Sequence, residues 1–266
     1  MKKGILWVFM IGIFGTLLLT SCRKDRELET DLTSAEDQSQ GEMVYDQIFK
    51  QVDQAADDAG LKKGGYPIIT KDTLSSPRTM TIDFGTTNYL CLDGNYRRGV
   101  ILVSWTGRYR DQGTTIQIGF TDFFQNDNKV EGTKTITNNG ENSEGNLSYS
   151  IVVNGKITTA EGLVHTWNSN RTRVWIEGES TQTTLDDVYE LTGTTNGTNR
   201  NGVNYIANIT TKLLIKLACE WRIVSGVIEV TPEGKNLRKI DFGTGACDRL
   251  VTVTVNGKTK TFSRRR

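Results

Sequence analysis

The stretch LVTVTVNGKTKTF, residues 250–262, is the strongest indication of the fold. Valine and threonine alternate up to an Asn-Gly pair, and a second strand-like run follows it. Asn-Gly supplies the two positive-φ residues of a type I′ turn, which joins antiparallel strands into a hairpin. The same tetrapeptide, Val-Asn-Gly-Lys, occurs at residues 153–156 between LSYSIVV and KITT. The sequence therefore predicts a hairpin turn at each copy.

Strand-like runs fill the chain from Arg78 onward. RTMTIDFG places Met80, Ile82 and Phe84 on one face, and GVILVSWTG is apolar on both faces, as in a strand covered on both sides. Thr, Val, Ile, Tyr and Trp dominate the later runs. We expect an all-β fold over residues 66–266. It should be a predominantly antiparallel meander of about twelve strands, arranged as a sandwich, a barrel or a strongly curled sheet.

One helix is predicted before the strands, over residues 42–60. Its apolar residues recur every three or four positions, and Gly60 is a natural stop. They are Val44, Ile48, Val52, Ala55 and Ala59. This apolar face is narrow, so the helix packs either on its own sheet, which we favour, or on a partner.

The N-terminus has the pattern of an exported lipoprotein. Lys2 and Lys3 precede an uncharged apolar stretch over residues 4–19, which is short for a membrane span. The following Leu-Thr-Ser-Cys resembles a bacterial lipobox, which implies a signal peptide at residues 1–21 and lipidation of Cys22. The alternative is an ordinary secretory signal with a chance cysteine. Residues 22–41 are polar and charged, and we expect a flexible tether there.

Composition narrows the class of partner. The chain has 32 Lys and Arg against 31 Asp and Glu, and removing residues 1–21 leaves 30 against 31. This balance argues against a nucleic-acid partner, which favours a basic face. The one histidine, His165, excludes sites that need two histidine ligands and leaves one candidate for a triad. No metal or cofactor is predicted.

Three cysteines remain after Cys22, in a compartment that permits disulfides. Folding the chain about the turn at residues 232–235 places Cys219 within one position of Cys247. We therefore expect a cross-strand disulfide between them. Cys91 would then be free, or it would compete for Cys247.

Two carboxylates are the candidate catalytic residues. In Trp175-Ile176-Glu177-Gly178-Glu179, strand alternation would place Trp175, Glu177 and Glu179 on one face, with the carboxylates about 7 Å apart. That spacing suits an inverting glycosidase, and the tryptophan could stack on a sugar. The alternative is an acidic, solvated face beside a packed tryptophan.

Other polar groups give weaker signals. Asp122, Asp127 and Glu131 offer oxygens for Ca²⁺ but lack the ligand order of a calcium loop, so turn residues are the favoured interpretation. Arg108 and Arg110 with Arg171 and Arg173 would bind sulfated or phosphorylated glycans if they lay on one outer face, although charge balance on a solvated face is the favoured interpretation.

A short sequence occurs twice. Ile-Asp-Phe-Gly-Thr is found at residues 82–86 and again at residues 240–244, each followed by a cysteine and an aspartate. The repeat suggests either an old duplication or two equivalent corners of one fold.

The runs TMTIDFGTTNYLCLDGNYRRGVILVSWTGRYRDQGT, KVEGTKTITNNG and VTVTVNGKTKTF resemble uncharacterised lipoproteins of Bacteroidota. The resemblance implies a cell-envelope location, with the lipid in the outer membrane on its periplasmic or outer side, and it implies no site residues. Asp72-Thr73-Leu74 also has the form of the O-glycosylation motif of that group, with Thr73 as acceptor.

Two functions follow from these observations. The first is a lipid-anchored, non-enzymatic envelope protein whose β domain binds a glycan or another envelope protein, or serves as a structural part. The alternative is a glycan-directed hydrolase that uses Glu177 and Glu179. We favour the first, because no catalytic constellation stands out.

Overall fold

The structure is a computed structural model that describes residues 31–56, 65–181 and 183–264. The signal peptide, Cys22 and residues 57–60 of the predicted helix lie outside these residues. One helix, α1 (Thr33–Ala56), precedes the strands. The strands are β1 (Ile68–Asp72), β2 (Arg78–Asp83), β3 (Tyr89–Leu90), β4 (Tyr96–Trp105), β5 (Thr115–Gln125), β6 (Asn128–Glu141), β7 (Leu147–Thr158), β8 (Val164–Glu177), β9 (Val188–Thr198), β10 (Asn204–Lys216), β11 (Ile223–Pro232), β12 (Arg238–Thr244), β13 (Leu250–Val255) and β14 (Lys258–Ser263).

All fourteen strands belong to one sheet. Neighbours in the chain are neighbours in the sheet, except that β2 pairs with β4 and not with the short β3, which also pairs with β4, and every pairing is antiparallel. Within the described residues β1 and β14 are not paired with each other, so the sheet is curled and open rather than a closed barrel. The predicted all-β antiparallel fold with one N-terminal helix is confirmed.

The helix packs on one face of the curled sheet. Ile48 and Ala55 are fully buried there, and the Tyr45 hydroxyl donates to the Glu131 carbonyl oxygen of β6 at 2.9 Å. Nearer the start of α1, the Tyr205 hydroxyl of β10 donates to Gln38 Oε1 at 3.2 Å. The helix therefore shares its core with strands from the middle of the sheet.

The helix begins at Thr33, so residues 33–41 are not the flexible tether predicted for them. The Asp31 carboxylate accepts hydrogen bonds from the Thr33 amide and hydroxyl, so the backbone N–H at the start of the helix has an acceptor. Asp37 is fully buried, and the amide and Nε of Arg200 donate to it at 2.7 and 2.6 Å. Hydrophobic periodicity could not detect this first part of α1, because its buried residues are largely polar.

The two Val-Asn-Gly-Lys copies adopt different structures. Asn256 and Gly257 have φ values of 52° and 73°, and Val255 pairs with Lys258, as the turn prediction requires. The turn predicted at residues 153–156 is wrong: β7 runs straight through it, with Gly155 opposite Trp167 of β8. A Cβ atom on Gly155 would lie 2.4 Å from Trp167 Cζ2, so this glycine provides space for the indole.

The repeated Ile-Asp-Phe-Gly forms the same local structure at both places. Asp83 Oδ1 accepts from the Gly85 amide at 2.7 Å, and Asp241 Oδ1 accepts from the Gly243 amide at 2.9 Å. Both glycines have positive φ, 79° and 91°. The motif therefore forms the same aspartate-to-glycine hydrogen bond at the end of β2 and within the last residues of β12.

Candidate functional site

A cleft of about 1830 Å³ runs along the length of α1, where the curled sheet does not close. One wall is the turn between β3 and β4, and the other is formed by β13, β14 and the loops beside them. Residues of α1 along the cleft include Ser39, Gln40, Met43, Asp46, Gln47 and Lys50. The walls include Leu92, Asp93 and Asn95 on one side and Trp221, Phe242, Val251, Val253, Phe262 and Arg264 on the other. The cleft thus lies between opposite ends of the sheet.

Arg264 organises the second wall. Its Nη1 donates to the Ile223 carbonyl oxygen at 3.0 Å, and its Nη2 donates to the Asp248 carbonyl oxygen at 2.8 Å. The guanidinium also lies 5.3 Å from the Trp221 ring centroid and 5.7 Å from that of Phe242. Burial lowers the pKa of Arg264. One side chain, directly after β14, therefore contacts both the start of β11 and the loop between β12 and β13.

The disulfide lies in the same wall. Cys219 and Cys247 are joined, with their Cα atoms 5.2 Å apart, as the hairpin arithmetic led us to expect. The bond connects the β10–β11 loop to the β12–β13 loop, and such a bond contributes about 2–4 kcal/mol. Cys91 is free and buried, and burial raises the pKa of its thiol.

The first wall is fixed by a buried ion pair. Arg97 is fully buried and donates two hydrogen bonds to the Asp93 carboxylate, at 2.9 and 2.7 Å. Burial would raise the pKa of Asp93, but its hydrogen bonds and the charge of Arg97 lower it below its usual value. Arg97 Nε also donates to Gln125, whose amide donates to Gln47 of α1. This chain of contacts sets the turn relative to the helix.

The lining carries both signs of charge. Its carboxylates are Glu36, Glu42, Asp46, Asp93, Glu220 and Asp248, and its cations are Lys50, Arg200, Arg222, Arg249 and Arg264. Such a mixture selects neither a polyanion nor a polycation. Leu92, Trp221 and Phe262 add apolar surface. The cleft is therefore suited to a ligand with both apolar and charged groups.

Strand β14 lies beside the cleft and has one unpaired edge. Within the described residues β14 pairs with β13 and with no other strand. Thr261, Phe262 and Ser263 of β14 line the cleft. An edge of this kind presents backbone N–H and C=O groups to which another strand can pair.

The predicted carboxylates lie elsewhere. Glu177 is the last residue of β8 and is exposed, and Glu179 follows in the next turn. A register shift separates Trp175 from Glu177, so the prediction that both share a face is wrong. Trp175 is buried, with the Arg110 guanidinium 4.7 Å from its ring centroid. It is not placed to stack on a sugar.

His165 and the two basic residues of β8 face the helix. His165 is fully buried, with Nδ1 3.7 Å from the Asp37 carboxylate, and burial lowers its pKa. Arg171 pairs with Glu42 of α1. Arg173 is enclosed by aromatic rings, among them that of Tyr189 at 4.6 Å. The prediction that Arg171 and Arg173 could lie on an outer face is therefore wrong.

The candidate calcium oxygens are paired with cations. Asp127 accepts from Arg98 at 2.7 Å, and Lys156 lies 2.8 Å from Glu131. Asp122 lies 3.5 Å from Lys129. In the described part of the chain, no group of three or more metal-ligating side chains was found.

Thr73 is exposed in the loop that joins β1 to β2. Asp72 Oδ1 accepts from the backbone amides of Leu74 and Ser75, at 2.9 and 3.2 Å. The loop thus presents the hydroxyl to solvent, and its glycosylation stays a prediction.

Sequence reasoning missed the cleft. Its walls come from segments far apart in the chain, and neither Leu92 nor Trp221 belongs to a motif or to a marked periodicity. The one usable signal was the Cys219–Cys247 pairing, which brings two loops of the second wall together.

No protein-family model, curated protein or solved structure matches this chain. Across residues 31–56, 65–181 and 183–264, no helix is both long enough and apolar enough to cross a membrane. Function is therefore inferred from the cleft, from the sheet edge beside it and from the sequence.

Proposed function

We propose that this chain is a lipid-anchored binding protein of the cell envelope, and that its ligand is an extended segment of a partner protein. The segment pairs with the free edge of β14 and fills the cleft along α1. The observation that carries this proposal is the edge of β14 that no strand of the described residues covers, at the cleft between the two ends of the open sheet.

Strand addition fits the chemistry of the cleft. Backbone hydrogen bonds to an edge strand supply affinity, and side chains placed on alternate faces supply specificity. An extended peptide directs every second side chain toward the lining, where Trp221 and Phe262 accept apolar groups and the ion-pairing residues accept charges. A nucleic acid or an acidic polymer would meet carboxylates along the same path.

The second wall is held in place before binding. The Cys219–Cys247 bond and the contacts of Arg264 fix the loops that border β14. Fixed loops lose little conformational entropy when a ligand binds, which increases affinity.

The anchor rests on the sequence. Lys2 and Lys3, the apolar run and Leu-Thr-Ser-Cys support lipidation of Cys22, and the resemblance to Bacteroidota lipoproteins supports an envelope location. The described part of the chain starts at Asp31, where Arg238 Nη2 donates to the carbonyl oxygen at 2.8 Å. The segment between Cys22 and Asp31 spans at most about 30 Å when fully extended. The cleft therefore works close to the membrane.

A hydrolase remains the alternative from the sequence, and no structural observation favours it. Glu177 and Glu179 lie at an exposed strand end and are not among the residues that line the cleft.

Site-specific photo-crosslinking in intact cells tests the proposal. A photoreactive residue replaces Met43 on α1 or Thr261 on β14 of the full chain, and a matched control replaces Thr172, which is exposed on the other face of the sheet. We expect adducts of one partner segment at Met43 and Thr261 and none at Thr172. Mass spectrometry identifies the segment.

A synthetic peptide of that segment then distinguishes strand addition from simple proximity. We expect it to bind the purified full chain and to slow hydrogen exchange of the β14 amides, while the β1 amides at the other sheet edge are unchanged. Equal cross-linking of the same segment at Thr172, or binding without protection of β14, would refute the proposal.

A further inference from the structure

The face of the sheet that points away from α1 carries exposed, uncharged side chains in register. Along β8, Trp167 and Ser169 are buried toward the helix, whereas Asn168 and Asn170 point outward. Their neighbours on β7, β9 and β10 complete two rows of four residues, which we call the polar platform. The rows are Asn154, Asn168, Asn196 and Ile206, followed by Val152, Asn170, Thr194 and Asn208.

The polar platform is electrically neutral. Charged residues make up 24% of the chain, yet none of the eight platform residues carries a charge. The nearest charged side chains are at its margins: Lys156 lies 2.8 Å from Glu131, Lys212 lies 2.5 Å from Glu190, and Glu229 of β11 lies opposite Asn208. An ionic ligand gains little from such a surface, whereas a neutral ligand avoids desolvating a charge.

The asparagines are unfavourable residues for the strands in which they lie. Asparagine is depleted in strands, and an exposed strand position is ordinarily better served by threonine. Asn168 and Asn170 nevertheless occupy successive outward positions of β8, and Asn196 lies opposite Asn168. All three side chains are exposed, and among the residues that the structure describes none of their amides is hydrogen-bonded to another residue. Residues that cost stability and satisfy no neighbour point to a ligand.

The geometry indicates what that ligand is. Strands are spaced about 4.8 Å apart, and successive outward residues on one strand are about 7 Å apart. Each amide offers two donated hydrogen bonds and one acceptor oxygen, so the rows form a lattice of neutral hydrogen-bonding groups. A protein partner would need aromatic and apolar anchors, and the platform has only Val152 and Ile206. The lattice instead complements a repeating polyhydroxylated chain.

We propose that the polar platform binds an uncharged polysaccharide, which lies across β7–β10 and is held by hydrogen bonds between amides and hydroxyls. The platform has no aromatic ring, so each contact is weak and affinity comes from repeated contacts along one polymer. The cleft lies on the opposite side of the sheet. The two sites are separate, and neither proposal depends on the other.

Affinity electrophoresis of the full chain in mild detergent tests this inference. Native gels contain dextran, mannan or xyloglucan as neutral polymers, or polygalacturonate as an anionic one. We expect at least one neutral polymer to retard the protein and polygalacturonate to leave it unretarded. Asn168→Asp with Asn196→Asp should weaken the retardation about tenfold. Asn139→Asp, the same change at an exposed residue of β6 outside the platform, should not.

A second pair of substitutions separates binding from folding. Asn168→Thr with Asn196→Thr should weaken retardation while keeping or raising the thermal midpoint, because threonine suits a strand better. The inference is overturned if no neutral polymer retards the protein, or if either double variant binds like the wild type. An equal loss in Asn139→Asp also overturns it. So does self-association through the platform, seen as concentration-dependent sedimentation that the double variants abolish.

Discussion

The two copies of Val-Asn-Gly-Lys have the same residues and opposite structures. At residues 255–258 the tetrapeptide is a tight turn, and at residues 153–156 it is the middle of a long strand. Gly257 has a φ of 73° and nothing within 4 Å of its missing Cβ. Gly155 lies against the Trp167 ring in a strand paired on both sides. Gly257 allows the positive φ of the turn, and Gly155 leaves space for the Trp167 ring.

The difference shows when local sequence decides structure. Residues 250–262 form the hairpin at one end of the strand order, and within the described residues no further strand pairs with β14 to compete with the preference of Asn-Gly for a turn. Residues 147–158 lie in the centre, where β6 and β8 both supply hydrogen bonds along the whole strand. Turns that contain Gly145 and Gly162 already lie at the two ends of this strand, and both glycines have positive φ. The pairing of two long neighbours outweighs the turn preference of two residues.

The largest expected effect is at Gly155. In Gly155→Ala the new methyl overlaps the indole of Trp167, 2.4 Å from Cζ2, and neither strand can move without losing its pairing. We expect the free energy of unfolding to fall by about 3 kcal/mol, as in an overpacked core. Urea denaturation followed by circular dichroism measures it.

A double-mutant cycle identifies the cause. Trp167→Leu removes the indole, so Gly155→Ala should cost clearly less in that background than in the wild type. An unchanged cost would mean that the methyl is opposed by the backbone and not by the tryptophan.

Lys134, which lies opposite the first copy, should make the stability of the protein depend on pH. It lies on β6 opposite Val153 of the first copy, and burial lowers its pKa from 10.5 to about 8. Between these values the unfolded chain binds the proton more tightly than the folded one. The contribution of Lys134 to stability is therefore unfavourable below about pH 8 and becomes less so as the pH rises toward 10.5.

Lys134→Met removes this dependence. From about pH 7 to about pH 10, the unfolding free energy of wild type minus that of the variant should rise by about 2–3 kcal/mol. Lys260→Met, on the exposed hairpin of the second copy, is the matched control for the loss of one lysine. The difference isolates Lys134 from buried tyrosines such as Tyr45, whose raised pKa acts in the opposite direction. A constant difference would mean that Lys134 titrates normally in the folded protein.

The same contrast explains what the sequence could predict. Strand alternation is a local signal, so the antiparallel sheet and the hairpin at Asn256-Gly257 were predictable, as was the approach of Cys219 to Cys247 across one hairpin. The strand through Gly155 was not, because its structure depends on neighbours supplied by β6 and β8. The start of α1 was missed for a related reason. The burial of Asp37 depends on hydrogen bonds donated by Arg200, which is far away in the sequence.

The candidate sites follow the same division. Glu177 and Glu179 were selected by strand spacing, and one register shift beside Trp175 removed the shared face. The cleft depends on how far the sheet curls, which no local pattern encodes. The polar platform lies between these cases, because alternation could have placed Asn168 and Asn170 on one face, whereas their alignment with Asn196 requires the register.

The smallest expected effect is at Gly257, where space is not limiting. Gly257→Ala should lower the unfolding free energy by about 1 kcal/mol, since the positive φ is the one thing that opposes the methyl. Gly257→Asn should cost less than Gly257→Ala, because asparagine tolerates the left-handed region. At Gly155 we expect the opposite order: Gly155→Asn should cost more than Gly155→Ala, since asparagine is the larger side chain and the indole leaves no room. If asparagine were the better replacement at both glycines, conformation would govern both copies and the distinction between them would fail.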